Sequence, residues 1–189
     1  MNDLSSNQTL TIDYAAASNQ TLELETNNSK KKSINLNELG VNYFHSENNF
    51  DDFSIQLLIP QKQSTKGTGI AKADVNGDGL EDFFVGNAAG ANGALYIQKS
   101  EGTFSSTNEA LWAKEAKYED ANALFFDADN DGDQDLYVVS AGYELDEDNI
   151  LLQDRLYIND GNGNFSYDRQ ALPSMLVSGK SAVAGDYDG

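Results

Sequence analysis

The hydrophobic positions of this chain fall in short runs that are bounded by glycine, asparagine or aspartate. Three small-residue runs, at residues 69–73, 121–126 and 181–185, each lead into an acidic stretch. Runs rich in valine and aromatic residues follow the first two acidic stretches, at residues 83–87 and 136–142. Short β-branched and aromatic runs between turn residues predict β-strands, and helical apolar periodicity is scarce. The pattern therefore predicts an all-β fold.

A second pair of apolar runs completes each unit. The sequence GALYIQKSEGTFSS in the first unit matches DRLYINDGNGNFSYD in the second, with a glycine turn in the middle of each. Four strands per unit is the composition of one β-propeller blade. The first aspartates of successive acidic stretches are 53 and then 59 residues apart, and periods near 50 residues are typical of propellers or arrays of small sheets. We therefore predict a partial β-propeller.

This organisation divides the chain into five predicted segments. The segments are a strand pair with a linker (1–36), a lead-in (37–65), a first blade (66–120), a second blade (121–177) and the truncated start of a third blade (178–189). The propeller would thus contain about two four-stranded blades and the start of a third, preceded by a short hairpin-like segment. Seven blades at this period need roughly 350 to 420 residues, so we expect the remaining blades elsewhere in a parent chain.

Two connecting segments differ between the units. Residues 108–120 mix acidic and basic side chains without a clean apolar stripe, so we predict a loop between the blades with Trp112 packed beneath it. Residues 143–153 form an acidic insertion in the second unit. Such insertions often carry binding, but a solvated loop is the simpler interpretation.

The acidic stretches DVNGDGLED (74–82) and DADNDGDQD (127–135) have the same spacing, with Asp or Asn at places 1, 3, 5 and 9. A run of like charge is usually a solvated loop, but both stretches lie between predicted strands. Oxygen ligands at alternate places of a tight turn converge on one point, which is how Ca²⁺ gathers its ligands in a short loop. We therefore predict two calcium loops. A solvated turn and a magnesium-tolerant loop are the alternatives.

The predicted ligands follow from the places. Side-chain ligands are Asp74, Asn76, Asp78 and Asp82 in the first loop and Asp127, Asp129, Asp131 and Asp135 in the second. The backbone carbonyl at place 7, from Leu80 or Asp133, would add one oxygen, and Gly79 and Gly132 at place 6 would allow the positive φ that the reversal needs. Asp186 and Asp188 supply the first two places of a third copy.

The calcium loop of an EF-hand is excluded by place 12. That loop needs a bidentate glutamate there and a helix on each side. Place 12 is Val85 in the first copy and Val138 in the second, each inside a predicted strand. We therefore expect the aspartate at place 9 to close the site.

Charge and composition narrow the function classes. The formal net charge is −19, and a chain without a basic face cannot neutralise the phosphates of a nucleic acid. The chain has no run of eighteen apolar residues that would span a membrane, and its first residues show no signal peptide. His45 is the only histidine and cysteine is absent, so His45 has no second histidine or cysteine with which to form a zinc site. We expect it to make a structural hydrogen bond, with a ligand role as the alternative.

The repeats resemble a known family. The stretches GIAKADVNGDGLEDFFVG, ALFFDADNDGDQDLYVVSAG and RLYINDGNGNF resemble the FG-GAP/VCBS repeats of integrin α-subunit propellers and of many large exported bacterial proteins, over about residues 66 to 189. The stretch from Phe44 into the first repeat is similar to the lead-in of propellers in bacterial surface proteins with an ASPIC/UnbV module. The stretch SNQTLTIDY is similar to the closing strands of that module.

The resemblance implies a seven-bladed propeller with calcium in the loops and display outside the cytoplasm. It places the calcium ligands on the residues given above, with Asp186 and Asp188 matching half a site. The function implied is that of a binding or adhesion scaffold in a larger exported or cell-surface protein, with a glycan or protein partner.

Two other functions stay open. Some polysaccharide lyases and hydrolases are propellers with similar calcium loops, so the chain could belong to such an enzyme whose catalytic residues lie outside it. Within this chain the carboxylates are assigned to metal, and Ser, His and Asp do not occur in a recognisable catalytic spacing. We therefore expect no enzymatic activity from the chain itself. The other possibility is a segment that only joins modules.

Overall fold

The computed structural model describes residues 34–186 and shows an all-β chain with two four-stranded antiparallel sheets. The first sheet contains β1 (Ile70–Ala73), β2 (Asp82–Val85), β3 (Ala94–Gln98) and β4 (Phe104–Thr107). The second contains β5 (Glu119–Phe126), β6 (Asp135–Ala141), β7 (Arg155–Asn159) and β8 (Phe165–Asp168). Neighbouring strands in each sheet are consecutive in sequence, so each sheet is a meander of hairpins. The all-β prediction is confirmed.

Both acidic stretches connect the first and second strands of a sheet. In the first sheet Ala73 pairs with Asp82, and in the second Phe126 pairs with Asp135. Each acidic loop therefore begins one residue after the last paired residue of one strand and ends at the first paired residue of the next. The prediction that each acidic stretch lies between two strands is therefore confirmed.

Residues 108–120 contain a helix, so the prediction of a loop was wrong. Helix α1 spans Glu109–Glu115, and its buried residues are Trp112 and Glu115. The sequence shows no apolar stripe because the helix is only two turns long and one large side chain supplies most of its buried surface. The predicted burial of Trp112 is confirmed, since its side chain is 4% exposed.

Trp112 lies in a core that both sheets share. Its ring packs 5.1 Å from the ring of Phe84 in β2 and 5.3 Å from that of Tyr157 in β7, measured between centroids. The indole nitrogen donates to the carbonyl of Thr107 at 2.9 Å, which satisfies its polar atom. Removing such a side chain costs about 3–5 kcal/mol. The helix between the sheets therefore joins them through one aromatic contact region.

The buried carboxylate of Asp120 also connects the sheets. Arg155 in β7 pairs with Asp120 in β5, and both side chains are more than nine-tenths buried. The other carboxylate oxygen of Asp120 accepts from the backbone N–H of Asn87, which follows β2, at 2.9 Å. The Arg155 guanidinium also lies over the ring of Tyr118 at 4.2 Å. Asp120 therefore holds a second-sheet arginine and a first-sheet amide at once.

The lead-in segment packs on the first sheet. Val41 is buried with Val85 and Tyr96, and the Tyr43 hydroxyl donates to the carbonyl of Gly86 at 2.7 Å. His45 is hydrogen-bonded to Tyr43 through Nδ1 at 3.0 Å and to Glu47 through Nε2 at 2.7 Å. The structural hydrogen bond expected for this histidine is therefore confirmed.

The described part of the chain has short 3-10 turns at Leu36–Leu39, Asp52–Ser54 and Ile150–Leu152. The last of these lies in the acidic insertion and buries Leu152. The strand pair predicted within residues 1–36 lies almost wholly outside the described residues. None of the described helices has the length and apolar character needed to cross a bilayer.

Residues 181–185 are not a strand, although the sequence predicts one. They have no regular secondary structure and no strand pairing, and Val183 is 96% exposed. At the same place before the acidic stretch, Ala71 of the first sheet is buried and Leu124 of the second sheet is partly buried. The difference has a physical reason, because a strand needs a hydrogen-bonded neighbour and no described segment pairs with this one.

Candidate metal centre

The two acidic loops share a backbone conformation. At place 6, Gly79 has φ of 84° and Gly132 has φ of 96°, which confirms the predicted left-handed residues. Place 4 also has a positive φ, 72° at Gly77 and 64° at Asn130. Glycine and asparagine tolerate this region at low cost. Two left-handed residues in each loop turn its backbone back on itself around the side chains at places 1 and 3.

The aspartate at place 1 organises each loop from within. In the first loop the Asp74 carboxylate accepts from the backbone N–H groups of Gly77 at 2.8 Å, Asp78 at 3.2 Å and Gly79 at 2.8 Å. In the second loop Asp127 accepts from Asp131 at 3.2 Å and Gly132 at 3.0 Å. These bonds are local side-chain-to-backbone contacts of the kind that aspartate makes in turns.

The aspartate at place 9 fixes the loop to the sheet. Asp82 is fully buried, and its carboxylate accepts from the N–H of Val75 at 3.1 Å and of Gln98 at 2.8 Å. Asp135 is likewise fully buried and accepts from Ala128 at 2.8 Å and Asn159 at 2.9 Å. Each carboxylate therefore joins the start of its loop to the end of the third strand of its sheet.

Three carboxylates of the second loop converge on one point. One oxygen each from Asp127, Asp129 and Asp135 lies within 4.8 Å of the others, and this is the one such group of three in the described part of the chain. Two oxygens bound to the same calcium at 2.3–2.6 Å are at most about 5 Å apart. A carboxylate oxygen that already accepts one N–H keeps a second lone pair for a cation. The donor set therefore fits a hard divalent cation.

The second loop carries unrelieved repulsion between its carboxylates. Burial raises the pKa of Asp133 to about 6, with further contributions from Asp131, Asp135 and Asp129. The pKa of Asp129 is also raised, by burial first and then by Asp131. One carboxylate oxygen of Asp133 is buried without a hydrogen-bond partner. A bound cation would offset this repulsion.

The first loop differs at places 3 and 7. Asn76 occupies the place of Asp129, and its amide donates to the carboxylate of Asp78 at 3.1 Å. Leu80 occupies the place of Asp133. The first loop therefore replaces one charge repulsion with a hydrogen bond. Burial raises the pKa of Asp82 despite its two backbone donors.

The structure places the other predicted site residues as follows. Asp78 and Asp131, at place 5, each accept from the N–H at place 7 of their own loop, at 2.8 and 3.1 Å. The carbonyl oxygens of Leu80 and Asp133 stay predicted ligands. Asp186 is exposed near the end of the described chain, and Asp188 lies outside the described residues. The half site at the third copy is therefore still a prediction.

Two residues near the loops were missed by the sequence reasoning. The side chain of Asn159 at the end of β7 bonds to both loops, and the side chain of Asn108 before α1 bonds to the β7–β8 turn. Asn159 opens the stretch NDGNGN, which the sequence reasoning treated only as a glycine turn. The only available signal was its position beside repeated Asn, Asp and Gly, typical of a turn with side-chain-to-backbone bonds.

A cavity of about 690 Å³ lies at the opposite strand ends from the acidic loops. It is bordered by Thr68 just before β1, by Glu119 at the start of β5 and by Gly142 just after β6. Burial raises the pKa of Glu119 to about 8, with added repulsion from Glu144 and Glu47. This region holds carboxylates, but they are separate from the candidate metal centre.

Comparison with known proteins identifies the repeats. The model of the FG-GAP-like repeat matches residues 74–138 and again residues 127–189. These two matches span more than half of the chain, which therefore belongs to the FG-GAP-like repeat family. No curated protein and no solved structure matches the chain significantly.

Proposed function

We propose that this member of the FG-GAP-like repeat family is a calcium-binding segment of a larger exported or cell-surface protein. In this proposal it acts as a non-catalytic binding or adhesion scaffold. The observation that carries the proposal is the convergence of Asp127, Asp129 and Asp135 within a repeated strand-connecting loop. Alternating oxygens in a tight turn are the ligands that calcium prefers.

In each loop the ion would be held by the four side chains at places 1, 3, 5 and 9 and by the carbonyl at place 7. Bound calcium supplies positive charge that offsets the repulsion between the loop carboxylates. Because place 9 also holds the third strand through a backbone N–H, ordering of the loop would stabilise the whole sheet. The ion is therefore structural in this proposal, since many protein oxygens leave no open position for catalysis.

We further propose that the two sheets are neighbouring blades of a propeller. Three features support this: both sheets are four-stranded meanders, their acidic loops begin 53 residues apart, which is close to the period of a propeller blade, and Trp112 joins them in a shared core. The unpaired segment at residues 181–185 would be the inner strand of a third blade. The remaining blades of the parent chain are then the first partners of this segment, and a glycan or protein ligand is the partner of the assembled surface.

A calcium titration tests the proposal. The full chain is freed of metal and titrated with CaCl₂ by isothermal calorimetry, while thermal unfolding is followed in parallel samples. We expect two bound ions and a melting temperature that rises with the logarithm of free calcium above the dissociation constant. MgCl₂ is the control, since Mg²⁺ demands a smaller and stricter octahedral site. Absence of both heat and stabilisation at millimolar calcium would overturn the proposal.

A further inference from the structure

The side chain of Asn159 bonds to both acidic loops. Its amide Nδ2 donates to the carbonyl of Val75, at place 2 of the first loop, at 2.8 Å. The same Nδ2 donates to the carbonyl of Gln134, at place 8 of the second loop, at 3.2 Å. Val75 precedes Asn159 by 84 residues, so the contact joins two separate sheets. One planar amide group therefore touches both candidate metal loops.

The remaining polar groups of Asn159 are also engaged. Its Oδ1 accepts from the N–H of Asp160 at 2.9 Å and of Gly163 at 3.1 Å. Its own backbone N–H donates to the buried carboxylate of Asp135 at 2.9 Å. The residue is 4% exposed. Because each group has a partner, the amide cannot rotate without breaking a buried hydrogen bond, which costs about 1–3 kcal/mol.

The β7–β8 turn lies directly against the first loop. A Cβ atom placed on Gly163 would lie 3.5 Å from Cγ2 of Val75 and 3.7 Å from Cβ of Asn76. From the other side, Asn108 donates to the carbonyl of Gly163 at 2.8 Å and accepts from the N–H of Phe165 at 3.1 Å. The turn is thus held between the helix start and the first loop, so a change in that loop reaches the second sheet.

The equivalent residue in the first sheet lacks this connection. Gln98 ends β3 as Asn159 ends β7, and its backbone N–H donates to Asp82 as that of Asn159 donates to Asp135. Within residues 34–186 the side chain of Gln98 makes no hydrogen bond. The backbone contact is therefore common to both sheets, whereas the side-chain contact belongs to the junction between the two loops.

We propose that Asn159 couples the two metal loops, so that ion binding at one tightens ion binding at the other. The inference rests on the proposed calcium binding and adds its regulation. An ion that orders one loop fixes the carbonyl to which Asn159 donates, and the other loop then has less freedom to lose when its own ion binds. Coulomb repulsion between two bound dications would act in the opposite direction, so positive coupling requires a structural link.

The test compares the calcium affinity of the first loop with the second loop competent or disabled. Asp127→Asn with Asp131→Asn disables the second loop, and calorimetry gives the dissociation constant of the first. We expect binding at the first loop to be at least about fivefold weaker in this variant than in the native chain. Because coupling is reciprocal, disabling the first loop with Asp74→Asn and Asp78→Asn should weaken the second by the same factor.

Asn159→Asp tests the link itself. The aspartate keeps an acceptor for Asp160 and Gly163 but has no donor for Val75 and Gln134. The ratio of the first-loop calcium affinity with the second loop competent to that with the second loop disabled should therefore fall to about one. Asn162→Asp adds the same charge to the same turn at an exposed residue and should keep the ratio. A ratio that survives in Asn159→Asp would overturn the proposal.

The remaining outcomes separate the coupling from calcium binding. Absence of calcium binding in the native chain contradicts the proposed function. If two ions bind but disabling the second loop leaves the first-loop affinity unchanged or tighter, only the coupling is contradicted. If Asn159→Asp fails to fold, hydrogen exchange tests the coupling in a chain that keeps Asn159. In the variant with the second loop disabled, calcium should slow exchange of the Gly163 N–H at least about fivefold, and unchanged exchange would overturn the coupling.

Discussion

The first acidic loop, residues 74–82, and the second, residues 127–135, have nearly the same backbone hydrogen bonds but different side chains at places 3 and 7. Asp74 and Asp127 bind the N–H groups at places 5 and 6 in both loops. The first loop has Asn76 where the second has Asp129. The comparison separates two roles: places 1, 4, 6 and 9 shape the loop, whereas places 3 and 7 set its charge.

The difference in charge has a cost in the absence of a cation. The pKa values of Asp129 and Asp133 are raised in the second loop, by burial first and then by the neighbouring carboxylates. In the first loop, the amide of Asn76 donates to Asp78 instead. The second loop should therefore depend more on its ion, and the first should hold its shape better without one.

The largest expected effect comes from the aspartate at place 9, which the two loops share. Asp135→Ala and Asp82→Ala each remove the partner of one buried and one partly buried backbone N–H, and an unpaired buried N–H costs about 1–3 kcal/mol. We expect each variant to lose about 3 kcal/mol or more of unfolding free energy in urea titrations with EDTA present. Asp168→Ala, at an exposed residue, is the control. A loss below about 1 kcal/mol in either variant would contradict the assigned role of place 9.

The next effect should change sign with calcium. The pair Asp127→Asn and Asp131→Asn keeps a side-chain oxygen at each position but removes two repelling charges. Asparagine has one acceptor oxygen where Asp127 uses both, so place 1 loses a backbone hydrogen bond. Relief of the repulsion offsets this loss in EDTA, so the variant should be at least about as stable as the native chain. At calcium 100-fold above the native dissociation constant it should lack about 2.7 kcal/mol of ligand stabilisation. The matched first-loop pair, Asp74→Asn with Asp78→Asn, should gain less in EDTA, and an equal gain would remove the distinction between the loops.

A smaller effect should follow from making the loops more alike. Asn76→Asp gives the first loop the carboxylate that the second has at place 3. Ligand charge tunes the calcium affinity of such loops, so we expect about tenfold tighter binding at this loop, or about 1.4 kcal/mol. Without calcium the variant should be less stable, because the donor to Asp78 is lost. Calorimetry with the second loop disabled measures the change, and unaltered affinity would show that place 3 does not contact the ion.

A separate, pH-dependent effect concerns carboxylates far from both loops. The pKa of Glu119 is raised to about 8 from an ordinary 4.5 by burial and by Glu144 and Glu47, so the folded chain holds a proton that the unfolded chain releases. Stability should therefore fall as pH rises from about 4.5 to 8. Glu119→Gln should flatten this decline in urea titrations with saturating calcium. The variant and the native chain share His45 and Lys66, which border the same cavity, so these residues do not contribute to the difference between the two slopes. An identical slope in the variant would contradict the assignment.

Local sequence patterns were sufficient for the strands, the loop spacing and the left-handed glycines at place 6. The reason is that each depends on residues within one hairpin. They were insufficient for α1, where one tryptophan supplies the buried surface, and for residues 181–185, which have strand composition but no described partner. Propensity specifies which segments can form strands, whereas pairing specifies which ones do.

The contacts between the two sheets were not predictable from either repeat alone. Asp120 and Asn87 are 33 residues apart, and Asn159 and Val75 are 84 residues apart. Nothing in the local spacing of an aspartate or an asparagine shows which distant amide or carbonyl it will contact.

The sequence by itself determined the all-β class, the repeated units and the oxygen-rich turns, because hairpins and side-chain-to-backbone turns are built from neighbouring residues. The tertiary structure decided which loop carboxylates converge, that Trp112 joins the sheets and that one buried amide touches both loops. These features depend on how the two sheets pack. Packing brings together residues that are far apart along the chain, and such contacts produce no periodic pattern in the local sequence.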